Sequence, residues 1–306
     1  MNITITINHL LNKIINMKIL VLGATGMLGH KLIQILSENH EVFGTIRGTV
    51  TDYSYSSIIP SEKIIGSVSG TDIASIRRAI DEVEPDVVVN CIGIVKQLPE
   101  AQNPVISITV NSLLPHQIAA YCKEKNCRFI HYSTDCVFTG EKGYYTEEDL
   151  EDAADLYGRS KFLGEVGPDE GLTLRTSLIG RQLHGNYSLV EWFLSNRGGE
   201  VNGYTKAIFS GLTTNAHAHV LNEIITQHPT LSGLYHLAAE PINKYELLRM
   251  IRDEFGLDIT IHQVDGEISN RSLDGSKLKK ETGICVPDWK TMIHEIAVDQ
   301  TNYGGN

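Results

Sequence analysis

The chain has 306 residues, of which 37 are acidic and 26 basic, giving a formal net charge of −11 at pH 7. This acidity argues against a broad nucleic-acid-binding surface, because such surfaces need clustered cations. The length suffices for one large α/β domain, or for a domain with a smaller lobe. Five cysteines form no C-x-x-C pair and are odd in number, which favours reduced thiols and a cytoplasmic protein.

Membrane, metal and targeting signals are weak throughout the sequence. No apolar run reaches the roughly 18 residues that a membrane helix needs, and the 12 histidines are scattered. We therefore predict no membrane span and no metal site. Residues 1–16 lack the charged region and cleavage site of a signal peptide. Because Met17 directly precedes the first predicted strand, we interpret residues 1–16 as an N-terminal extension, with an interfacial or oligomer-forming arm as the alternative.

The first predicted strand leads into a glycine-rich turn. The apolar run 18–22 is followed by Gly23, Gly26 and Gly29 at Gly-x-x-Gly-x-x-Gly spacing, and then by an amphipathic helix. Such glycines let the backbone turn sharply and approach a phosphate, and the helix N-terminus presents free N–H groups. The segment therefore predicts a dinucleotide pyrophosphate site. Its expected contacts are Gly23, Thr25, Gly26, Met27, Leu28 and Gly29.

Strands and helices then alternate as far as residue 180. The run 86–93 is nearly continuous in apolar residues, which is typical of a strand buried on both faces of a parallel sheet. We predict a doubly wound parallel sheet, the Rossmann fold, over residues 17–180, and a smaller C-terminal substrate-binding lobe over 181–306. The other strands of the sheet are predicted at 41–47, 127–134 and 172–180, with helices at 72–83, 112–125 and from about 157.

Three side chains are predicted to meet at the carboxyl edge of this sheet. Tyr157 and Lys161 lie four residues apart on one helix face, and Thr134 ends the strand before them. Tyr121 and Lys125 have the same spacing, but they lie on the helix that precedes this strand. Hydride reduction of a ketone builds negative charge on the carbonyl oxygen, which needs a proton donor and a second hydrogen bond. We predict Tyr157 as acid/base, Lys161 as the cation that lowers the tyrosine pKa and anchors the ribose, and Thr134 as the carbonyl partner.

A set of short motifs follows in a family-specific order: GATGMLG, PDVVVNCIG, HYSTDCVFTG, YGRSKFLGE, LRTSLIG, GLYHLAA and NRSLDGSKL. With them the chain resembles the extended short-chain dehydrogenase/reductase family, and within it the dTDP-4-dehydrorhamnose reductase group, over nearly its whole length. The resemblance implies an NAD(P)-dependent reduction of the C4 ketone of a nucleotide-linked 6-deoxy-sugar, for polysaccharide biosynthesis. It implies Thr134, Tyr157 and Lys161 as the catalytic residues. Its further expected cofactor contacts are Cys91, Ile92, Gly93, Tyr157, Lys161 and, near the adenine, Asp72, with Ser69 in that place as the alternative.

Departures from the family pattern concern the sugar. Cys136 stands where the family has an aromatic residue, and a thiol cannot perform the acid/base step of the related nucleotide-sugar dehydratases. The segment NCIGIVKQ also differs, and brings Lys96 and Gln97 to a position where substrate or cofactor would lie. Arg271 is the expected cation for the substrate diphosphate, with a surface salt bridge as its alternative. The expected substrate contacts are Lys96, Asp135, Cys136 and Arg271.

The cofactor is predicted to be NADPH, with NADH as the alternative. Thr45 and Arg47 end the second strand with a hydroxyl and a guanidinium, which suit a ribose 2′-phosphate better than a 2′-hydroxyl. Two other functions stay open at this point. One is a non-catalytic dinucleotide-binding regulatory subunit, and the other a nucleotide-sugar epimerase with tightly held NAD. The resemblance makes a homodimer plausible, although the sequence carries no interface signal.

Overall fold

The computed structural model describes residues 16–55, 58–96, 99–185, 187–266 and 268–303. Nearly all of the predicted N-terminal extension and Gln97 lie outside these residues. The strands are β1 (Lys18–Leu22), β2 (Glu41–Thr45), β3 (Ile64–Ile65), β4 (Val87–Asn90), β5 (Arg128–Thr134), β6 (Leu172–Thr176), β7 (Leu178–Ile179), β8 (Glu200–Tyr204), β9 (Ala207–Phe209), β10 (Leu212–Thr213), β11 (Gly233–His236), β12 (Ile242–Asn243), β13 (Thr260–Val264) and β14 (Ser269–Asn270). The helices are α1 (Gly29–Leu36), α2 (Ile73–Val83), α3 (Pro104–Ser107), α4 (Leu114–Lys125), α5 (Leu156–Phe162), α6 (Leu189–Ser195), α7 (Thr214–Gln227), α8 (Lys244–Glu254), α9 (Ser276–Thr282) and α10 (Trp289–Ala297).

The predicted doubly wound parallel sheet is confirmed. In the described chain, seven parallel strands are ordered β11-β6-β5-β4-β1-β2-β3. Helices α1 and α7 pack together on one face, and α2 and α4 pack together on the other. The strand order reverses between β1 and β4, and ligands of such sheets bind in the crevice at this reversal.

The sheet takes its seventh strand from beyond the predicted domain boundary at residue 180. β11 pairs with β6, so part of the segment assigned to the C-terminal lobe completes the sheet. The predicted strand 172–180 breaks at Ser177, because β6 stays in the large sheet while β7 pairs with β10. The rest of the lobe contains the pairs β8 with β13 and β9 with β12 and β14.

Strand β5 separates an apolar face from a polar one. Ile130 and Tyr132 join the core on the face of α1, whereas Phe129 packs on the opposite face. Because strand residues alternate between faces, His131 and Ser133 follow Phe129 on that second face, beneath α5. Both are buried. A buried polar layer therefore lies between the sheet and the helix that carries Tyr157 and Lys161.

Candidate active site

The glycine-rich turn is closely packed against the ends of β1 and β2. Gly23 has a φ of 87°, a region that favours glycine, and its N–H donates to the Thr45 hydroxyl at 3.1 Å. A Cβ on Gly29 would overlap the carbonyl oxygen of Gly23, so the helix can start this close to the turn only with glycine. The Thr45 side chain is buried. It therefore supports the turn, and the expectation that its hydroxyl faces a 2′-phosphate is not met.

The same turn leaves backbone donors free. In the described chain the N–H groups of Thr25, Met27 and Leu28 have no acceptor, and Gly26 is exposed. Free N–H groups at the start of a helix bind phosphate well, since the helix dipole adds to them. The turn thus fits a dinucleotide pyrophosphate. It also packs closely on Cys91, the first residue after β4.

The remaining cofactor candidates lie around this turn. Cys91, Ile92 and Gly93 are half-buried beyond the end of β4. Arg47 is exposed after β2 and has no acceptor among the described residues. Asp72 is exposed and caps α2, where its carboxylate accepts the Ala74 N–H at 3.0 Å. The predicted roles of Arg47 and Asp72 in binding the cofactor stay predictions.

Thr134 and Tyr157 come together at the carboxyl edge of the sheet. Thr134 is the last residue of β5; its hydroxyl accepts the Cys136 N–H at 3.1 Å and donates to Asp135 at 3.2 Å. Tyr157 is half-buried in the first turn of α5. Burial raises the pKa of the Tyr157 phenol, the Cys136 thiol adds to the rise, and the Thr134 hydroxyl opposes it. The phenol therefore stays protonated at neutral pH.

Lys161 is turned towards the sheet. Its ammonium nitrogen donates to the Tyr132 carbonyl at 2.7 Å and lies 3.4 Å from Nε2 of His131. Burial lowers the pKa of Lys161 to about 8, against the opposing effects of Glu165 and Cys91. The pKa of Tyr157 is raised rather than lowered, so the expected tuning of the phenol by Lys161 is not seen. The physical reason is that the lysine charge is directed to a β5 carbonyl.

The predicted substrate residues form a charged group at the mouth of the site. Lys96 pairs with Asp155 at 2.8 Å, and Asp155 also caps α5 through the Gly158 N–H. Arg271 is half-buried and donates from Nε to the Phe138 carbonyl at 2.9 Å. Its charge reaches Asp135 and Asp155. The site thus brings both predicted cations to the Tyr157 end of α5.

Asp135 and Cys136 line the same end of the site with groups that resist ionisation. Burial raises the pKa of the Asp135 carboxyl, and the nearby Arg271 opposes that rise. Burial together with Asp135 raises the pKa of the Cys136 thiol to about 12. Cys136 is therefore a neutral side chain at physiological pH.

Sequence reasoning missed the residues that support the site. Asn111 lies in a π-helical turn, Ile108–Leu113, that overlaps the start of the predicted helix 112–125, and such turns often mark functional sites. Its side-chain amide accepts the Ile94 N–H at 2.8 Å and donates to the Ile94 carbonyl at 3.1 Å. It also donates to the Ser160 hydroxyl at 3.2 Å. It therefore holds the loop after β4 against α5. The sequence signal was weak, because Thr109 and Ser112 in the same segment are also polar and residue 111 lies outside the predicted helix.

The alternative tyrosine and lysine pair has a structural role. Tyr121 donates to Asp81 on α2 at 2.8 Å, and Lys125 pairs with the same carboxylate at 2.5 Å. In the described chain no cluster of three or more His, Cys, Asp or Glu residues is arranged to hold a metal ion. Nor does that part of the chain include a helix with the length and apolar character to cross a membrane.

A separate cleft of about 1230 Å³ lies beside the C-terminal segment. Its lining includes Arg181, His184, Tyr187, Arg197 and Tyr303. It contains none of the predicted site residues, since its lining comes mainly from the loop after β7, helix α6 and residues 301–303.

Comparisons with known proteins identify the family. Residues 17–302 match the family model described as the RmlD substrate binding domain. The chain belongs to this family. The relatives of this chain include the probable low-salt glycan biosynthesis reductase Agl14 of Haloferax volcanii, 36% identical over 167 residues and 52% of each chain. Another is the dTDP-4-keto-6-deoxy-D-glucose reductase of Streptomyces niveus, 31% identical over 169 residues and 53% of each chain.

The chain therefore spans about half the length of these two curated relatives. A crystal structure described as a hypothetical dTDP-4-dehydrorhamnose reductase from Sulfolobus tokodaii covers much more of the RmlD-family fold. It has a TM-score of 0.72 and 27% identity, with 89% of this chain and 98% of that chain covered. The similarity extends across both the central sheet and the C-terminal lobe.

Proposed function

We propose that this protein reduces the C4 ketone of a nucleotide-linked 4-keto-6-deoxy-sugar with NADPH, converting dTDP-4-dehydrorhamnose to dTDP-rhamnose for polysaccharide biosynthesis. The observation that carries the proposal is the convergence of Thr134 and Tyr157 at the carboxyl edge of the sheet, with Lys161 one helical turn further along α5. Family relatives that are named as reductases of glycan precursors and of a dTDP-4-keto-6-deoxy-sugar support it.

The glycine-rich turn is the proposed site of the NADPH pyrophosphate. Its support is the set of free N–H groups at Thr25, Met27 and Leu28, next to the N-terminus of α1. Arg47 is the proposed partner of the 2′-phosphate, because it is exposed, cationic and without an acceptor among the described residues. Bound NADPH would supply the hydride. NADH is the alternative, and it lacks the 2′-phosphate that Arg47 would bind.

Tyr157 is the proposed proton donor to the carbonyl oxygen as charge develops there. Burial keeps its phenol protonated at neutral pH, so the acid form required for reduction is present before the reaction. The Thr134 hydroxyl would rotate from Asp135 to donate a second hydrogen bond to the same oxygen. Lys161 would anchor the ribose from the floor of the site, where Tyr132 holds its amine.

Arg271 and Lys96 are the proposed cations for the nucleotide diphosphate. Only Nε of Arg271 has a hydrogen-bond partner in the described chain, which leaves the two terminal nitrogens for a phosphate. Lys96 is half exposed and held by Asp155. Asp135 and the small, neutral Cys136 would contact the sugar between them.

The test is NADPH oxidation with dTDP-4-keto-6-deoxy-sugars made in place by a dehydratase and a 3,5-epimerase. Tyr157→Phe removes only the hydroxyl, and we expect it to lower kcat by about 100- to 10,000-fold while NADPH binding stays close to native. Tyr121→Phe, which removes the hydroxyl from the buried tyrosine on α4, away from the proposed site, is the matched control and should retain full turnover.

Other outcomes of these measurements would support a different function for the protein. NADPH binding without turnover of any nucleotide-sugar would favour a dinucleotide-binding regulatory subunit. NAD that remains bound through purification, with interconversion of sugar epimers, would favour an epimerase. Turnover that survives Tyr157→Phe would contradict the assignment of the proton donor.

A further inference from the structure

A buried chain of three polar side chains lies behind the site. Asn90 at the end of β4 is paired in register with His131 of β5, and the two side chains contact through Nδ2 and Nδ1 at 3.1 Å. Nε2 of the same imidazole lies 3.4 Å from the Lys161 amine. Asn90, His131 and Lys161 are 1%, 0% and 6% exposed. Water is therefore not at hand to relieve a mismatch of donors and acceptors among them.

The positions of the hydrogen atoms on these three side chains are determined by Asn90. The Asn90 side-chain oxygen accepts the Ile92 N–H at 3.0 Å, which leaves the Asn90 NH2 group facing the imidazole. An NH2 group can only donate, so Nδ1 of His131 must accept. Burial holds the pKa of His131 well below its usual value, and the charge of Lys161 lowers it further, so the ring is neutral and carries one proton. That proton must be on Nε2.

The Nε2–H group points at the Lys161 nitrogen. An ammonium has three donors and no acceptor, so charged Lys161 would place one donor against another in a buried space. A neutral amine retains a lone pair. It can accept the Nε2–H bond of His131 and still donate to the Tyr132 carbonyl at 2.7 Å.

We propose that His131 is a positioning residue for Lys161, and that its Nε2–H group disfavours the ammonium form of the buried amine. Burial also disfavours the ammonium form, because it lowers the pKa of Lys161. In the proposed reaction, Lys161 would gain and lose a proton near neutral pH instead of being a permanent cation. That consequence rests on the proposed function, whereas the proton positions on His131 and Lys161 do not.

The other groups that face Lys161 leave room for this role. Glu165 lies beyond the end of α5, but Arg175 binds it at 2.6 and 2.7 Å, and Ser133 donates to it at 2.6 Å. Cys91 faces the amine from the end of β4, and burial raises the pKa of its thiol, so it is neutral. Tyr157 lies on the same helix and is protonated.

His116 on α4 is a further titratable group, and it acts on the imidazole of His131 rather than directly on Lys161. The charge of His116 on α4 lowers the pKa of His131 further. His116 therefore also favours the neutral form of the His131 ring, which carries its single proton on Nε2.

The test uses nuclear magnetic resonance on the whole protein, so it does not depend on turnover. Long-range ¹H–¹⁵N spectra of histidine-labelled protein report which ring nitrogen of His131 carries the proton. Titration of ¹³Cε-labelled lysine, with Lys161 assigned from the Lys161→Arg spectrum, reports its pKa. We expect the Nε2–H tautomer, and a Lys161 pKa of about 8 in the native protein.

His131→Phe removes the Nε2–H group but keeps a ring in the stack with Phe129. We expect the Lys161 titration to move by about one pH unit or more towards the ordinary lysine value of about 10.4. His217→Phe makes the same change at another fully buried histidine, whose Nε2 contacts Thr176 instead, and should leave Lys161 unchanged.

A proton on Nδ1, a native Lys161 titrating near the ordinary lysine value, or a titration unmoved by His131→Phe would overturn the proposal. If His131→Phe fails to fold, the tautomer and the native titration still decide. Absence of turnover in the native protein would instead contradict the proposed reductase function, and would leave these two measurements intact.

Discussion

Arg271, the proposed cation for the substrate diphosphate, is held through one of its three guanidinium nitrogens. Its Nε group is held by the Phe138 carbonyl, and Asp135 and Asp155 lie within reach of its charge. The terminal nitrogens have no hydrogen-bond partner in the described part of the chain. A guanidinium fixed at Nε presents two parallel N–H groups, which match the oxygens of a phosphate.

Replacing Arg271 by lysine should weaken substrate binding rather than the chemical step. Arg271→Lys keeps the charge but loses the two-pronged geometry, so we expect the KM for the nucleotide-sugar to rise about tenfold, which corresponds to about 1.4 kcal/mol. The kcat should change little. Arg249→Lys, in the exposed pair with Glu246 on α8, is the matched control. An unchanged KM would remove Arg271 from the diphosphate site.

At the scale of elements, the β1–α1 unit and helix α5 carry the two halves of the site. The first depends on three glycines that bring the start of α1 against the end of β1. The second depends on a cap: Asp155 accepts the Gly158 N–H at 2.8 Å and so starts the helix two residues before Tyr157. Each unit is short, and each is positioned by backbone contacts.

Gly29→Ala should impair cofactor binding specifically. The added Cβ would collide with the Gly23 carbonyl oxygen, which can relieve the clash only by distorting the turn. We expect the Kd for NADPH, measured by fluorescence titration, to rise at least about tenfold with the far-ultraviolet circular dichroism retained. Gly48→Ala is the control, since a Cβ there has no neighbour within 4 Å. Equal affinity in both variants would mean that the turn does not hold the dinucleotide.

Two substitutions at Asp155 separate its cap from its ion pair. Asp155→Ala loses both, and we expect the free energy of unfolding in urea to fall by about 1 kcal/mol. Asp155→Ser keeps a capping oxygen but loses the charge that binds Lys96. The Lys96–Asp155 ion pair is half-exposed, so it contributes little to the free energy of unfolding. The serine variant should therefore recover most of the loss. Equal destabilisation would show that the ion pair, and not the cap, stabilises α5.

At the scale of the whole molecule, the C-terminal segment closes back on the first helix. Lys31 on α1 is 3% exposed and pairs with Asp299 at 2.6 Å, while Thr301 accepts from the same amine at 3.0 Å. Tyr303 donates to Asp299 at 2.8 Å and contacts His30, the second residue of α1, at 3.4 Å. The chain end thus supports the helix whose start forms the glycine-rich turn.

This contact makes a pH-dependent contribution to stability. Bonds from Lys31 and Thr301 outweigh burial and lower the pKa of Asp299 to about 2. A carboxylate with a depressed pKa stabilises the folded state above its ordinary value near pH 4, and this stabilisation is lost as the pH falls towards 2. Asp299→Asn should therefore lower the free energy of unfolding by about 1–2 kcal/mol at pH 7, discounted for partial solvent exposure.

The difference between native and Asp299→Asn proteins should shrink as the pH is lowered from 4 towards 2. Urea unfolding at several pH values measures it. Asp265→Asn makes the same change in an exposed pair with Lys206 and should alter stability little at any pH. A pH-independent difference at Asp299 would contradict the role of its charge.

Much of the fold was predictable because it rests on local patterns. The apolar runs at 18–22 and 86–93 became adjacent parallel strands β1 and β4, and the glycine spacing between β1 and α1 gave the expected close packing. The strand predicted at 172–180 is present as two strands, β6 and β7, because the chain leaves the large sheet after Thr176. Thr173 and Arg175 are polar within β6 just as Ser177 is polar at the break, so the sequence pattern has no clear signal for a change of sheet.

The sequence by itself determined the order of strands and helices, the position of the glycine-rich turn, and the helix that carries Tyr157 and Lys161, because these depend on periodicity and spacing within short segments. Only the tertiary structure decided what the side chains contact. In the folded protein Lys161 donates to a carbonyl of β5, and Thr45 supports the glycine-rich turn. Strand β11 joins the large sheet, and Asp299 pairs with Lys31 on α1. Each of these is a contact between distant segments, whose partners are selected by packing and burial rather than by neighbours in the chain.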